Sequence, residues 1–141
     1  MARHWLCTVN KDNWRIIRRE LIWGASRRFK GRVEKISVGD KIVFYVTPAS
    51  IGGIFEAITP MFEETRKIFA SEEVFPCRIK LKPLIVPKEP ISFRPLIPKL
   101  SFIRDKKRWS AYIRLPVREI PVNDYNVILW YLRREHSAHK T

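Results

Sequence analysis

Apolar and polar positions alternate with different periods along this chain, and each change of period marks an element. Trp5 to Val9 reads as a short buried strand. Asn10 to Asn13 is a polar turn in which Asp12 or Asn13 is placed to cap a helix. Trp14, Ile17 and Leu21 then share one helical face, with Arg15, Arg18 and Arg19 on the others, and Gly24 is placed to stop that helix or the turn after it. Ser26 to Arg32 is a basic loop. Val33 to Val38 leads to a Gly39-Asp40 turn, and Lys41 to Thr47, apolar on both sides, reads as a central strand. After a loop from Pro48 to Gly53, the run Gly53 to Thr59 places Phe55 and Ala57 on one face and Ile54, Glu56 and Ile58 on the other.

Met61 to Glu73 is a charged connection with room for one helical turn. Phe75 to Lys82 alternates cleanly: Cys77, Ile79 and Leu81 point to a dry face, Arg78, Lys80 and Lys82 to a wet, positive one. The prolines from Pro83 to Pro98 forbid a long helix or central strand and predict an extended wrapping segment, with a short helix near Phe93 to Leu96. Its many apolar side chains mark it as packed rather than as a tether. Phe102 to Trp109 carries a basic run, and Tyr112 to Ile120 has strand character. Asn123 or Asp124 is placed to cap a last helix buried through Tyr125, Ile128, Leu129 and Leu132, and a polar tail follows from about Arg133. Short strands outnumbering helices predict an α+β protein with a small curved or barrel-like sheet and helices packed outside it.

The 141 residues suit a single domain, 1–141, and 45% of them are hydrophobic, enough for a core without disulfides or metals. Cys7 and Cys77 lie far apart among apolar residues and are expected as buried free thiols. The absence of Gln beside plentiful Lys, Arg, Glu and Pro leans towards a thermophile source. Charge changes the picture most. Lys and Arg number 28 against 14 Asp and Glu, a net charge of +14 that attracts phosphate backbones. The first ten residues lack a signal-peptide layout and no apolar run approaches a membrane span, so a cytoplasmic protein that binds no membrane is expected.

Candidate chemistry is one-sided. The five glycines build no phosphate-cradling loop, no cysteine pair has zinc spacing, and His136 and His139 lie in the polar tail. No catalytic residue, metal or cofactor is therefore expected. Basic residues do interleave with rings, from Trp23 to Lys30 and again from Lys106 to Ser110. Cations there neutralise phosphates while rings stack on unpaired bases. The expected phosphate-binding set is Arg27, Arg28, Lys30, Lys106, Lys107 and Arg108.

Trp5-Leu6-Cys7 followed by Asn10 and Asn13-Trp14, then Ile22-Trp23-Gly24, Val38-Gly39-Asp40-Lys41 with Tyr45 after it, and Gly53-Ile54-Phe55-Glu56 form an ordered series. Phe75-Pro76-Cys77-Arg78, the stretch Leu100 to Trp109, Arg118-Glu119-Ile120-Pro121 and Asp124-Tyr125 continue it. Over nearly the whole chain this series resembles the EVE-domain family. The resemblance implies a PUA-like fold, a small mixed β-barrel with flanking helices. EVE domains are similar to YTH domains, which read a methylated adenine in RNA through an aromatic cage; for EVE domains, modified cytosine in DNA is one proposed target.

By that resemblance the base-binding set is Asn10, Trp23, Gly24, Tyr45, Trp109 and Ser110. Trp23 matches a cage wall at the end of the first helix, and Asn10 matches a polar residue that hydrogen-bonds the base edge. Trp109 with Ser110 forms a further wall or rim, or else clamps the Pro-rich segment; Tyr45 lines the pocket or the barrel. The usual second ring after Phe75-Pro76 is Cys77 here, and the loop from Thr47 to Gly53 is short. The C-terminal helix with Trp130 and Arg133-Arg134 is unusually basic. The expected function is a non-catalytic module reading a modified, flipped or single-stranded base in DNA or RNA. The alternatives are a small PUA-like hydrolase acting on a modified nucleoside and a protein that binds RNA through charge alone.

Overall fold

Alternation along the first strand already divides the molecule in two. In β1 (His4–Val9), Trp5, Cys7 and Val9 enter one core while Leu6 enters a second core on the opposite face. The structure, a computed structural model, describes residues 2–139. The remaining strands are β2 (Ile22–Ala25), β3 (Lys41–Val46), β4 (Ser50–Ala57), β5 (Phe62–Glu63), β6 (Cys77–Ile85), β7 (Ile91–Ser92) and β8 (Val117–Glu119). Six of them run in the order β2-β6-β4-β3-β1-β8, with β5 on β6 and β7 on β4. The β1–β3 pair is parallel and the others are antiparallel.

This sheet curls into half a barrel. Its inner face holds Trp5, Cys7, Phe44, Phe55, Ala57, Ile79 and Leu81, and α1 (Lys11–Glu20) adds Trp14 and Ile17. Its outer face presents Leu6, Val43, Tyr45, Ile51 and Ile54. Over them lie a 3-10 helix at Arg94–Lys99 and α3 (Val122–His139), which contributes Tyr125, Ile128, Tyr131 and Leu132. The α+β half-barrel with flanking helices is the architecture expected, and both cysteines are buried and free.

Several local expectations are corrected. Asn10, not Asp12 or Asn13, caps α1: its Oδ1 accepts from Asn13 N–H at 2.8 Å. Leu21, not Gly24, ends the helix, in a left-handed conformation with φ 56°. The basic loop after Ser26 is a 3-10 turn at Arg27–Phe29 running into α2 (Lys30–Val33). β4 starts at Ser50, inside the expected loop, and the connection before Glu73 carries β5 and no helix. β6 passes through Pro83, which stands where the pairing with β4 shifts register, a place where a missing N–H is tolerated.

Asp124 does not cap α3. Its carboxylate instead accepts from Ser101 N–H, Ser101 Oγ–H and Phe102 N–H, at 2.8–3.0 Å. The polar end of the chain from Arg133 continues α3 as far as His139, whose side chain lies outside the described ones. No described helix is long and apolar enough to cross a membrane.

The Val38-Gly39-Asp40-Lys41 segment shows why its residue types are needed. Gly39 takes φ +94°, a conformation that side chains with a Cβ rarely adopt. Buried Asp40 then accepts from Arg3 N–H, Trp5 Nε1–H and Ser37 N–H, each at 2.9 Å. One carboxylate thereby ties the entry of β1 to the entry of β3.

Candidate functional site

A cavity of about 250 Å3 opens where β1 passes into α1, between β2 and the long connection that precedes β6. Its lining includes Asn10, Asn13, Gly24, Ser26, Phe29, Phe69 and Phe75, with Thr8 and Pro116 from the β1 and β8 sides. The volume falls just below the range of about 300–1,000 Å3 common for pockets that take drug-sized ligands, so it suits a smaller guest.

Two side chains fasten the connection over the cavity. Asn13 Oδ1 accepts from Ala70 N–H at 2.7 Å. Arg78, which the alternation of β6 assigns to the wet face, is 0% exposed. Its Nε donates to Phe75 O at 3.1 Å, Nη1 to Glu64 Oε2 at 2.8 Å, and Nη2 to the carbonyls of Arg66 and Val74. Its guanidinium also lies 5.3 Å from the centre of the Phe69 ring. A charge of that kind belongs inside only because its donors are matched. Arg78 thus anchors the segment that presents Phe69 and Phe75.

Phe75 stands at φ 53°, one of the two described non-glycine residues with positive φ. Backbone strain of this kind costs on the order of 1 kcal/mol or more and persists where surrounding bonds hold it. Gly24 makes the close approach possible: a Cβ there would lie 2.7 Å from Phe69 Cε2 and 2.9 Å from Phe75 O.

The polar groups lean towards donation. The Oδ1 atoms of Asn10 and Asn13 are engaged within the protein, which leaves their Nδ2 groups for a guest. Ser26 Oγ accepts from Arg28 N–H and keeps its own proton to donate. The lining contains no carboxylate, lysine or histidine. The cavity therefore offers amide and hydroxyl donors between rings, and no general acid or base.

The structure brings together part of the expected site. Asn10 and Gly24 line the cavity. Arg27, Arg28 and Lys30 are exposed on the turns that continue from Ser26 and Phe29. Arg28 lies 4.9 Å from the centre of the Phe29 ring, and Lys30 forms a solvated pair with Glu63 at 3.5 Å. Trp23 is corrected. It sits within β2, not at a helix end, and the alternation that turns Gly24 to the cavity sends the indole into the core, 1% exposed.

Tyr45 belongs to the outer core, with its hydroxyl donating to Pro48 O and its ring edge-on to Phe93 at 5.0 Å. Trp109 packs at a tilt against Phe93, centroids 5.9 Å apart, beneath Arg94, so it clamps the Pro-rich segment. Exposed Lys106, Lys107, Arg108 and Ser110 share its 3-10 helix, Lys106–Ile113, which is kinked at Arg108, and none of them lines the cavity. Asp105 caps that helix through Lys107 N–H and Arg108 N–H.

The rings Phe29, Phe69 and Phe75 and the amide of Asn13 are the part that sequence reasoning missed. Phe69 lies in a connection without periodicity, and nothing in sequence joins it to Asn13. The Phe75-Pro76 step and the Phe29 set among cations were the available signals. A larger groove of about 770 Å3 lies between Pro87–Ser92 and α3, and its charged lining is mixed: Glu89 and Glu135 beside Lys88 and His136.

Comparison with known proteins agrees with this architecture. Residues 3–131 match the EVE domain family. A UPF0310 protein of Pyrococcus abyssi is 39% identical over 89% of this chain and 96% of its own. One of Saccharolobus solfataricus is 26% identical over 89% and 91%. Among solved structures, the Mmi1 YTH domain in complex with RNA superposes with a TM-score of 0.70 at 10% identity, covering 94% of this chain and 79% of that one. The human THYN1 protein, solved with DNA containing 5-methylcytosine, gives 0.64 at 10% identity, covering 92% and 97%. The fold is thus the PUA-like one shared by EVE and YTH domains.

Proposed function

Because the chain belongs to the EVE-domain family, we propose that it is a nucleic-acid-binding module that takes one extruded, modified base into the cavity beside Asn10. The observation that carries this reading is the largely apolar cavity walled by Phe29, Phe69 and Phe75, with Asn10, Asn13 and Ser26 as its polar groups and Arg27 and Arg28 at its side. Rings stack on a base, each contributing about 1–3 kcal/mol, while flanking arginines hold the phosphates. Donors at Asn10, Asn13 and Ser26 complement a base edge made of acceptors, such as O2 and N3 of a cytosine or N1 of an adenine. The solved complexes of Mmi1 with RNA and of THYN1 with methylated DNA support a nucleic-acid partner. A lining without acid, base or nucleophilic lysine supports binding over hydrolysis.

Asn10→Asp tests the reading without disturbing the fold. Aspartate caps a helix as well as asparagine does, so stability is kept. The donor Nδ2 becomes a charged acceptor facing an acceptor edge. In titrations with labelled oligonucleotides carrying plain or methylated C and A, the variant should lose base preference by about tenfold or more. Arg28→Ala should instead weaken all ligands alike and lower the salt slope by about one. An unchanged preference in Asn10→Asp contradicts the assignment.

A further inference from the structure

α3 carries a second aromatic surface that the base cavity does not use. Its inward stripe is Tyr125, Ile128, Tyr131 and Leu132, so Trp130 and Arg134 fall on another side, with half-buried Val127 at the boundary. Trp130 is 67% exposed, whereas Trp5, Trp14 and Trp23 are buried and Trp109 is half-buried. Trp130 borders a shallow groove of about 350 Å3 that Leu96, Lys99, Val127, Tyr131 and Arg134 complete. Arg133 lies over the indole, its guanidinium carbon 5.7 Å from the ring centroid, which puts a charge against one face of the ring.

An exposed indole of this kind asks for an occupant, and charge decides which. Lys99, Arg133 and Arg134 surround the ring, and Glu135 is the single carboxylate between Val127 and His136. A second copy of this chain brings +14 to the contact, an arrangement that repels itself. A polyanion with flat, apolar bases satisfies both the cations and the indole.

We propose that Trp130, with Lys99, Arg133 and Arg134, forms a stacking platform for an unpaired base of single-stranded nucleic acid. It is separate from the base cavity: it stands on the helix over the outer core, whereas the cavity opens between α1, β2 and the connection before β6. This rests on the reading of the protein as a nucleic-acid-binding module. It adds affinity without regard to modification, because every base has a face to stack.

The test uses the full chain and a labelled, unmodified single-stranded oligo-dT of twenty nucleotides, with anisotropy as readout. Trp130→Ala should weaken binding by about tenfold. Trp130→Tyr should restore most of it, and preference for a methylated base should stay as in the parent. Iodide should quench Trp130 readily in the free protein, and saturating oligo-dT should protect it. Equal affinity of parent and Trp130→Ala overturns the platform while leaving the cavity reading intact. A parent that binds no oligonucleotide overturns both. If sedimentation shows Trp130→Ala converting a dimer to a monomer with oligonucleotide affinity unchanged, the surface is homotypic and the platform is rejected.

Discussion

Single residues separate core from cavity in this protein: Trp23 is buried in the core, whereas Asn10 lines the cavity and also caps α1. Trp23 is a core residue of β2, so Trp23→Ala should cost about 3–5 kcal/mol, read as a lowered urea midpoint. At urea-free conditions its remaining folded fraction should keep the parent's base preference, because the indole does not line the cavity. The family motif pointed at a side chain that the structure places in the core. Gly24, its neighbour, faces the cavity, and strand alternation sends Trp23 the other way. Asn10 was legible only through the family resemblance, which matches it by position. That it also caps α1 was not, since Asp12 and Asn13 satisfy the same local rule.

Among elements, the connection before β6 was the least legible. It lacks periodicity, and its order comes from contacts distant in sequence: Asn13 with Ala70, and Arg78 with Glu64, Arg66, Val74 and Phe75. Alternation alone assigned Arg78 to solvent; the Glu64 carboxylate together with the carbonyls of the returning chain explains its burial. Arg78→Met keeps volume and removes the donors. Amide hydrogen exchange at Ala70 should then accelerate by at least tenfold, and base affinity should fall with it. Unchanged protection would show that the arginine does not hold the segment. The long strands, by contrast, were readable from pattern, because a half-barrel with two dry faces makes β3 apolar on both sides, whereas Arg78, Lys80 and Lys82 interrupt β6 at every second position.

At the scale of the molecule, the outer core joins the Pro-rich segment and α3 to the sheet, and it contains three tyrosines. Burial pushes the Tyr45 phenol up to about 12, with Arg94 opposing, and burial likewise raises Tyr125 and Tyr131. A phenol that titrates higher in the folded chain leaves the unfolded chain to release its proton first. Stability should therefore hold below about pH 10 and fall progressively from pH 10 towards 12. Tyr45→Phe should flatten that alkaline fall in urea midpoints measured across the range, though it also loses the hydrogen bond to Pro48 O. An equally steep fall in the variant would remove Tyr45 as a cause. Net charge acts on the same scale: it draws any polyanion, so affinity alone does not identify a reader.

Contact with a base inside the cavity is the central claim, and it is directly observable. The measurement is an NMR experiment on the protein with a short oligonucleotide carrying one 13C-methylated base among plain ones. Cross-peaks from that methyl group to the ring protons of Phe29, Phe69 or Phe75 are the predicted result. Shifts confined to Arg27, Arg28 and Lys30, with no methyl contact to those rings, would contradict it.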